Sequence, residues 1–354
     1  MAYTTIDNPE LFFQTKLYTG TGSSNSITLD GSGGNMQPDW VWIKCRDDSH
    51  NHQVFDSVRG VHKRMRTDTD GAETESSESL KSFDSNGFTV GTQANVNASA
   101  SGDNSFVSWN WLAGGSSSSN SDGDITSTVS ANTTSGFSVV SYTGNGSTNQ
   151  TIGHGLGAIP DFIIVKQRNT TRNWPTYTKA LGNGVAFLDI TDAWAGGSSY
   201  QNYWYVSGMT TSTFGISNND NTNASSGTFI AYCFSAKQGY SKFGTYTGNG
   251  NADGAFIYTG FRPAFVLLKV SSTNNNWNMF DDKRPGFNEI DQRLFPNLSD
   301  AEQDGTAAVD FLSNGFKFRN TNDNYNASGA TYLYMAFAKS PFVTGGTKAA
   351  GTAV

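Results

Sequence analysis

The sequence predicts an all-β fold arranged as three tandem β-sandwich or jelly-roll-like modules. The first observation is composition: of 354 residues 39 are glycine, aromatic residues reach 13% and charged residues only 15%, against about 25% charged residues in a typical soluble protein. Aromatic residues favour strands, and glycine favours the turns between them. The second observation is a pattern that occurs three times along the chain, and the third is the lack of a sustained helical period.

Each copy of the pattern opens with a strand that runs into a turn. The opening segments share the consecutive residues Tyr, Thr and Gly, and they are 17–22, 141–146 and 245–250. The second element is an apolar run that begins with proline and ends with lysine. These runs have equal length, and they are 38–44, 160–166 and 263–269. A nearly continuous apolar run predicts a buried central strand, with proline at its start where no ladder N–H is needed.

The loop and strand after each lysine keep the same spacing in all three copies. Eight positions after the lysine stand His52, Trp174 and Trp277. Eleven positions after it an aromatic residue stands in each copy: Phe55, Tyr177 and Phe280. Each copy then ends in a closing strand, within 102–113, 227–236 and 329–338. The alternation of side chains in these closing strands predicts one buried face.

These elements divide the chain into modules and connecting segments. The first module is 1–113, the second is 136–237 and the third is 240–343. Residues 114–135 are rich in Gly and Ser and predict a flexible linker. Residues 344–354 predict a C-terminal tail that frays unless it docks on a neighbour.

The charge of the chain and the absence of known motifs from its sequence exclude several classes of function. The net charge of −7 and the pI near 5.0 argue against a nucleic-acid partner, which requires a concentrated basic surface. The basic residues between 59 and 66 are followed by acidic residues between 68 and 78, which predicts a solvated loop whose charges compensate one another. No apolar run suggests membrane insertion, and no phosphate loop, nucleophile elbow or zinc-protease motif occurs. We therefore expect no enzymatic activity, no catalytic residue and no cofactor.

Residues that bind metals are few. Cys45 and Cys233 lack the spacing of a metal site and are expected to be buried apolar side chains without a disulfide. His50 and His52 have the spacing of half a metal site, but a polar loop is the preferred interpretation, and no metal site is predicted. Two loops rich in Asn and Asp offer oxygen ligands for Ca²⁺ but lack the spacing of a calcium loop, so turns are expected at 218–221 and 320–324.

Aromatic residues in polar loops are the candidate ligand-binding residues. Trp174 and Trp277 stand among Arg and Asn residues, and Tyr203, Trp204 and Tyr205 follow a loop rich in Gly and Ser. Exposed rings beside amides are typical of sugar recognition, in which the ring stacks on C–H bonds and the amides bind hydroxyls. The alternative is that these rings fill the interface between a loop and the sandwich.

The middle module carries a resemblance to known proteins. The segments 125–132, 136–146, 152–157 and 160–166 resemble a repeat module in structural proteins of tailed phages of marine bacteria, which are often labelled tail fibre or lectin-like. The resemblance implies a virion protein that is assembled in the host cytoplasm, exposed on the particle exterior, and present as a homo-oligomer or in many copies. Its implied partners are other tail or capsid proteins and host surface carbohydrate. The resemblance supplies no catalytic or binding residues.

Three functions remain open at this point. The first hypothesis is a tail fibre, spike or appendage module that contacts host surface glycans weakly and gains strength from many copies. The alternative is a purely structural role, as a capsid decoration or cement protein or a tail adaptor, with the aromatic loops in protein interfaces. A glycan depolymerase is the weaker alternative.

Overall fold

The computed structural model describes residues 4–197, 200–305 and 309–343. Across these residues the fold is all-β, as the composition predicts, and helical structure is limited to single turns. The α-helical turns are α1 (Ala94–Asn97) and α2 (Asp220–Asn223), and 3-10 turns lie at Pro9–Leu11 and Val206–Gly208. None of the described helices has the length and apolarity needed to cross a membrane. The predicted C-terminal tail, 344–354, lies outside the described residues.

The first third of the chain, which we call lobe 1, forms two sheets and a hairpin. Its strands are β1 (Phe13–Thr19), β2 (Asn25–Thr28), β3 (Trp40–Cys45), β4 (Gln53–Asp56), β5 (Lys63–Arg64), β6 (Thr74–Glu75), β7 (Leu80–Asp84), β8 (Gly87–Val90) and β9 (Ser105–Trp111). The main sheet has the antiparallel order β1-β9-β3-β4, and the small sheet has the order β2-β8-β7. The strands β5 and β6 pair as a separate hairpin.

Lobe 2 has the largest sheet. Its strands are β10 (Ser118–Asn120), β11 (Ser127–Asn132), β12 (Phe137–Thr143), β13 (Gln150–Gly153), β14 (Phe162–Gln167), β15 (Pro175–Thr178), β16 (Gly184–Phe187), β17 (Ala195–Gly196), β18 (Thr213–Ile216) and β19 (Thr228–Phe234). The main sheet has the order β10-β11-β12-β19-β14-β15-β16-β17, and β13 pairs with β18 in the small sheet. The inner four strands repeat the order found in lobe 1: opening, closing, central and following strand.

Lobe 3 repeats this order once more. Its strands are β20 (Ser241–Thr247), β21 (Phe256–Tyr258), β22 (Phe261–Val270), β23 (Trp277–Asp281), β24 (Val309–Leu312), β25 (Gly315–Phe318) and β26 (Thr331–Pro341). The main sheet has the order β20-β26-β22-β23, and the small sheet has the order β21-β25-β24. The threefold repetition in the sequence is therefore also a repetition of strand order.

The segment predicted as a flexible linker contains strands, so that prediction is wrong for part of 114–135. β10 and β11 both lie within it, and β11 pairs with β12 along its whole length. Val129 of β11 is 6% exposed and lies in the core of lobe 2, whereas its neighbour Thr128 is exposed. A polar strand is stable here because β12 offers a free edge for its backbone and the lobe offers a site for one apolar side chain.

The central strand of each lobe separates two hydrophobic cores. In β3, Val41 and Ile43 face the core inside lobe 1, while Trp40 and Trp42 face a second core. The same alternation holds in β14 and β22. A strand with both faces buried has no position for polar side chains, which explains why the apolar runs are nearly continuous.

The second core, here called the central core, is shared by all three lobes. It lies where the main sheets meet, and rings from each lobe contact rings from the other two. The distances between ring centroids are 4.4 Å for Trp40–Tyr232, 5.8 Å for Trp111–Phe265 and 5.9 Å for Phe234–Phe337. Because every pair of lobes is in contact, the lobes form a closed ring around this core.

Equivalent backbone hydrogen bonds join neighbouring lobes around the ring. In each, an N–H of one lobe donates to the carbonyl two positions after the repeated lysine of the next: Glu73 to Arg168 at 2.8 Å, Trp194 to Ser271 at 2.9 Å and Glu302 to Arg46 at 2.7 Å. The direction runs from lobe 1 to 2, from 2 to 3 and from 3 to 1. One contact repeated in cyclic order gives the chain approximate threefold symmetry.

The interface that each of these hydrogen bonds joins is here called the ring contact. The charged stretch of lobe 1 lies in the ring contact between lobes 1 and 2, so the prediction of a solvated loop is wrong for Arg59. Its side chain is buried and pairs with Asp56 and, at 3.0 Å, with Glu73. Glu73 also binds Arg168 of lobe 2 at 2.9 Å. The charges compensate one another as predicted, but they do so inside an interface between lobes.

Candidate functional site

The two tryptophans predicted to bind ligand are buried between lobes. Trp174 and Trp277 are both fully buried. Trp174 Nε1 donates to Arg66 O of lobe 1 at 3.0 Å, and Trp277 Nε1 donates to Phe187 O of lobe 2 at 2.8 Å. Ligand binding by Trp174 and Trp277 is therefore ruled out as a surface contact, because neither ring face reaches solvent. The alternative of an interface role is the correct one.

His52 occupies the equivalent position in lobe 1. Trp42 Nε1 donates to its Nδ1 at 2.9 Å, so Nε2 carries the proton and donates to Phe295 O of lobe 3 at 2.9 Å. Burial, reinforced by the nearby Lys44 charge, holds the pKa of His52 well below its usual value. His52 is thus a neutral donor that joins two lobes, and both ring nitrogens are already in use.

The aromatic cluster at 203–205 is split between core and surface. Trp204 is buried and packs on Tyr177, with 5.7 Å between ring centroids, so its predicted role as a ligand contact is wrong. Tyr203 and Tyr205 are partly exposed. Tyr203 is flanked by Tyr200, stacked at 6.3 Å. Of the five candidates, Tyr203 and Tyr205 keep surface accessible to a ligand.

A polar groove opens beside Tyr203 at the boundary of lobes 1 and 2. Its volume is about 700 Å³. Amides predominate in its lining, together with two carboxylates and one guanidinium, and the lining residues are Asp70, Thr171, Arg172, Asn173, Asn202, Asn218, Asn219, Asp220 and Asn221. The Tyr203 side chain lies beside Asn219 and Asn221, so the ring borders the same surface.

The asparagines of this polar groove are held by turn geometry. Asn219 Oδ1 accepts from Asn221 N at 2.9 Å and caps α2. The backbone N–H of Asn219 donates to Asn202 O at 3.0 Å and so ties the two asparagine-bearing segments together. In lobe 3, Asn322 Oδ1 accepts from Asn324 N in the same way, at 2.9 Å. The expectation of turns in the two Asn-rich loops is therefore confirmed.

Arg172 supplies the positive charge of the polar groove. Its backbone N–H donates to Asp70 O at 2.9 Å, and its guanidinium Nη2 lies 3.0 Å from Asp220 Oδ2. Two buried atoms, Arg172 Nε and Asn221 Oδ1, have no hydrogen-bond partner among the described residues. Buried polar atoms normally find a partner, so these two atoms are left unsatisfied next to the groove.

This arrangement is suited to binding hydroxyl groups. Amide side chains offer donors and acceptors close together, and tyrosine adds a flat apolar surface. Asp70 and Asp220 are both exposed, and Asp220 is already paired with Arg172. Neither carboxyl group has the burial that general acid catalysis requires.

The sequence placed a candidate residue in the loop that borders the polar groove, but other side chains of that loop line the groove. Arg172 and Asn173 line the polar groove, whereas Trp174 lies beneath it. A signal was present in the repeat, because Trp recurs at its position while the position of Arg172 holds His50 in lobe 1 and Asn275 in lobe 3. The position of Trp174 holds a buried residue that joins two lobes in all three copies, His52 included, whereas the side chain at the position of Arg172 differs in each copy.

A second cleft, of about 380 Å³, lies between lobes 1 and 3. Lys339 Nζ is 3.0 Å from Glu10 Oε1 and 3.8 Å from Asp282 Oδ2. Burial raises the pKa of Asp282 to about 6. Burial acts in the same direction on Glu10, but hydrogen bonds from Ser32 and the Lys339 charge outweigh it and lower the pKa of Glu10 to about 2. Lys339 neutralises part of the acidic charge of this cleft, although Asp282 Oδ1 has no hydrogen-bond partner among the described residues. The cleft is smaller than the polar groove and lacks its cluster of amides, so it is the weaker candidate for binding hydroxyl groups.

A sequence family described as a domain of unknown function (DUF7483) matches residues 8–341. The chain belongs to this family. The match begins before β1 and ends with β26, so the DUF7483 unit contains all three lobes, the central core and the polar groove. No curated protein and no solved structure matches the chain.

Proposed function

We propose that this chain is a structural protein of a bacterial-virus particle, a tail fibre, spike or appendage component, whose polar groove contacts host surface glycans. Each lobe is interpreted as a two-sheet β-sandwich, and three sandwiches share the central core. The polar groove carries the proposal, because it combines clustered amides, a guanidinium and the partly exposed Tyr203. This is the chemistry that binds sugar hydroxyls and the apolar face of a sugar ring.

The virion role is supported by the resemblance of 136–146 and 160–166 to phage structural modules and by the surface chemistry. A net charge of −7 disfavours binding to the negatively charged backbone of nucleic acid. A shallow groove binds weakly, and weak contacts become effective when many copies act together on one particle. The proposed partners are accordingly other virion proteins and host carbohydrate, and the proposed activity is binding without cleavage.

Glycan binding by the intact chain tests the polar groove. We expect the wild-type protein to bind a subset of bacterial surface glycans on an array and to release no reducing ends. Asp220→Ala and Tyr203→Ala are expected to weaken binding about tenfold or more, since each removes a hydrogen bond or a stacking face. Asp323→Ala is the matched control, because Asp323 is exposed at the equivalent position of lobe 3. Equal effects of Asp220→Ala and Asp323→Ala would exclude the groove.

A purely structural role is the second candidate, and an apolar patch on lobe 3 favours it. Phe256 and Tyr258 of β21 are 46% and 48% exposed, on an edge strand of the small sheet. Exposed aromatic residues on a sheet edge are typical of protein interfaces. Immunogold localisation on the intact particle separates the two candidates. A position at the distal tail supports host recognition, whereas a position over the capsid shell supports decoration or cementing.

A further inference from the structure

Three residues that commonly bind metals converge at one end of lobe 1. Cys45 ends β3, His50 lies in the loop that follows, and Asp103 lies just before β9. One ligand atom from each of the three lies within 4.8 Å of the others. Cys45 Sγ is 3.6 Å from Asp103 Oδ1, and His50 Nε2 is 2.6 Å from the same oxygen. A thiol, an imidazole and a carboxylate therefore surround one point.

Two further side chains complete the surroundings. Asp47 Oδ1 lies 3.2 Å from Cys45 Sγ, and Asn95 Oδ1 lies 3.2 Å from His50 Nδ1. Both ring nitrogens of His50 thus face oxygen atoms. A hydrogen bond from Nδ1 to Asn95 leaves the lone pair of Nε2 directed at the cluster, which is how outer partners orient a histidine that binds a metal.

The fold itself does not require these three residues. At the equivalent positions, defined by the repeated lysine and the closing strand, lobe 2 has Gln167, Arg172 and Ser226, and lobe 3 has Val270, Asn275 and Gly329. Neither set can bind a metal as the set in lobe 1 can. Asp103 also lies in a loop that is longer than its counterparts, 98–103 against 224–226 and 327–329. The additional residues bring a carboxylate over the end of β3.

We propose that Cys45, His50 and Asp103 form a binding site for a divalent transition-metal ion of the zinc type, with the fourth position open to a water molecule. Bonds of about 2.0–2.3 Å in tetrahedral geometry place ligand atoms roughly 3.3–3.8 Å apart. The separation of 3.6 Å between Cys45 Sγ and Asp103 Oδ1 already fits, and His50 must move away from Asp103 by under about 1 Å. Soft sulfur and imidazole ligands favour Zn²⁺ over Ca²⁺ or Mg²⁺.

The site is accessible and its chemistry is simple. The side chains of His50 and Asp103 are 20% and 22% exposed, so an ion can enter from solvent. The metal replaces the thiol proton of Cys45, which passes to solvent, and a sulfur–metal bond forms in place of the S–H bond. The bound ion joins the end of β3 to the start of β9 and stabilises lobe 1.

Cobalt and zinc titration of the full chain, reduced and freed of metal, tests the site independently of glycan binding. We expect one equivalent of Co²⁺ to give thiolate-to-cobalt absorption in the near ultraviolet, and Zn²⁺ to displace it with an increase in Tm. Cys45→Ser is expected to abolish the absorption, and Asp103→Asn to weaken affinity about tenfold or more. Cys233→Ser is the matched control, since Cys233 is the other buried free cysteine, and it should leave the absorption unchanged.

Two results would overturn the site: a wild-type chain without thiolate-to-cobalt absorption, or absorption that survives Cys45→Ser. If Cys45→Ser does not fold, His50→Gln and Asp103→Asn carry the test, because both side chains are partly exposed and tolerate substitution. Unchanged affinity in both of these variants would then reject the proposal.

Discussion

Buried ion pairs occupy the same position in two of the lobes. They are Asp56–Arg59 and Asp281–Arg284, and all four side chains are fully buried. Asp281 also accepts from Trp109 Nε1 of lobe 1 at 3.1 Å, and Arg284 reaches Glu302 at 2.9 Å. These carboxylates hold their partners across a lobe interface, so the pairs belong to the ring contact.

The equivalent position of lobe 2 has no ion pair. Thr178 and Leu181 stand there, and Leu181 packs against the central core. The ring therefore closes at this interface with apolar packing. A buried ion pair has to offset the cost of removing two charges from water, and an apolar replacement of similar shape often serves as well. The Thr and Leu of lobe 2 are therefore a natural replacement for the Asp and Arg of an ion pair in another lobe.

The first prediction concerns Asp281 and Arg284. Arg284→Leu leaves Asp281 as an uncompensated buried charge and is expected to lower the free energy of unfolding by about 3–5 kcal/mol. The double variant Asp281→Thr with Arg284→Leu places the residues of lobe 2 in lobe 3 and removes both charges of the pair. It should recover a large part of this loss, because Glu302, which loses Arg284 as a partner, still pairs with Arg46 at 2.7 Å. Urea unfolding of the three proteins measures the difference. A double variant no more stable than Arg284→Leu would contradict the argument.

At the scale of elements, the central strands were the most predictable part of the fold. The runs predicted at 38–44, 160–166 and 263–269 contain the greater part of β3, β14 and β22. Apolar continuity is a local property and can be recognised in the sequence. The residues that cover the second face of each central strand could not be predicted, because they belong to the other two lobes.

The strands β10 and β11 were not predicted, because no local apolar pattern marks them. Their sequence is polar, and Val129 is the apolar residue that β11 buries most completely. Their stability comes from the edge of β12, which no local pattern in 114–135 reveals. The polar groove was hidden in the same way, since it combines Asp70 of lobe 1 with loops of lobe 2.

The second prediction tests β11 as a packed strand. Val129→Ala removes two methyl groups from the core of lobe 2 and is expected to cost about 2 kcal/mol of unfolding free energy. Thr128→Ala, at the exposed neighbouring position, is expected to change it by about 0.5 kcal/mol or less. Chemical denaturation of both variants gives the comparison. If 114–135 behaves as a linker in solution, the two substitutions will have equally small effects.

At the scale of the whole molecule, the lobes depend on one another. Tandem modules joined by linkers each bury their own core, whereas here each lobe contributes one face of its main sheet to the central core. The family match over 8–341 treats the three lobes as one unit. The pattern that occurs three times in the sequence corresponds to a strand order that occurs three times in the structure, but the shared core requires knowledge of how the lobes meet.

The third prediction follows from the central core. A fragment of residues 114–237 exposes the lobe 2 side of that core, which includes Phe162, Ile164, Tyr232 and Phe234. So large an apolar surface is unstable in water, and we expect the fragment to aggregate or to remain loosely packed. The full chain should unfold in a single calorimetric transition whose van't Hoff and calorimetric enthalpies agree. A fragment that unfolds cooperatively as a monomer, or a full chain with three separate transitions, would show that the lobes are independent and that the central core adds little to their stability.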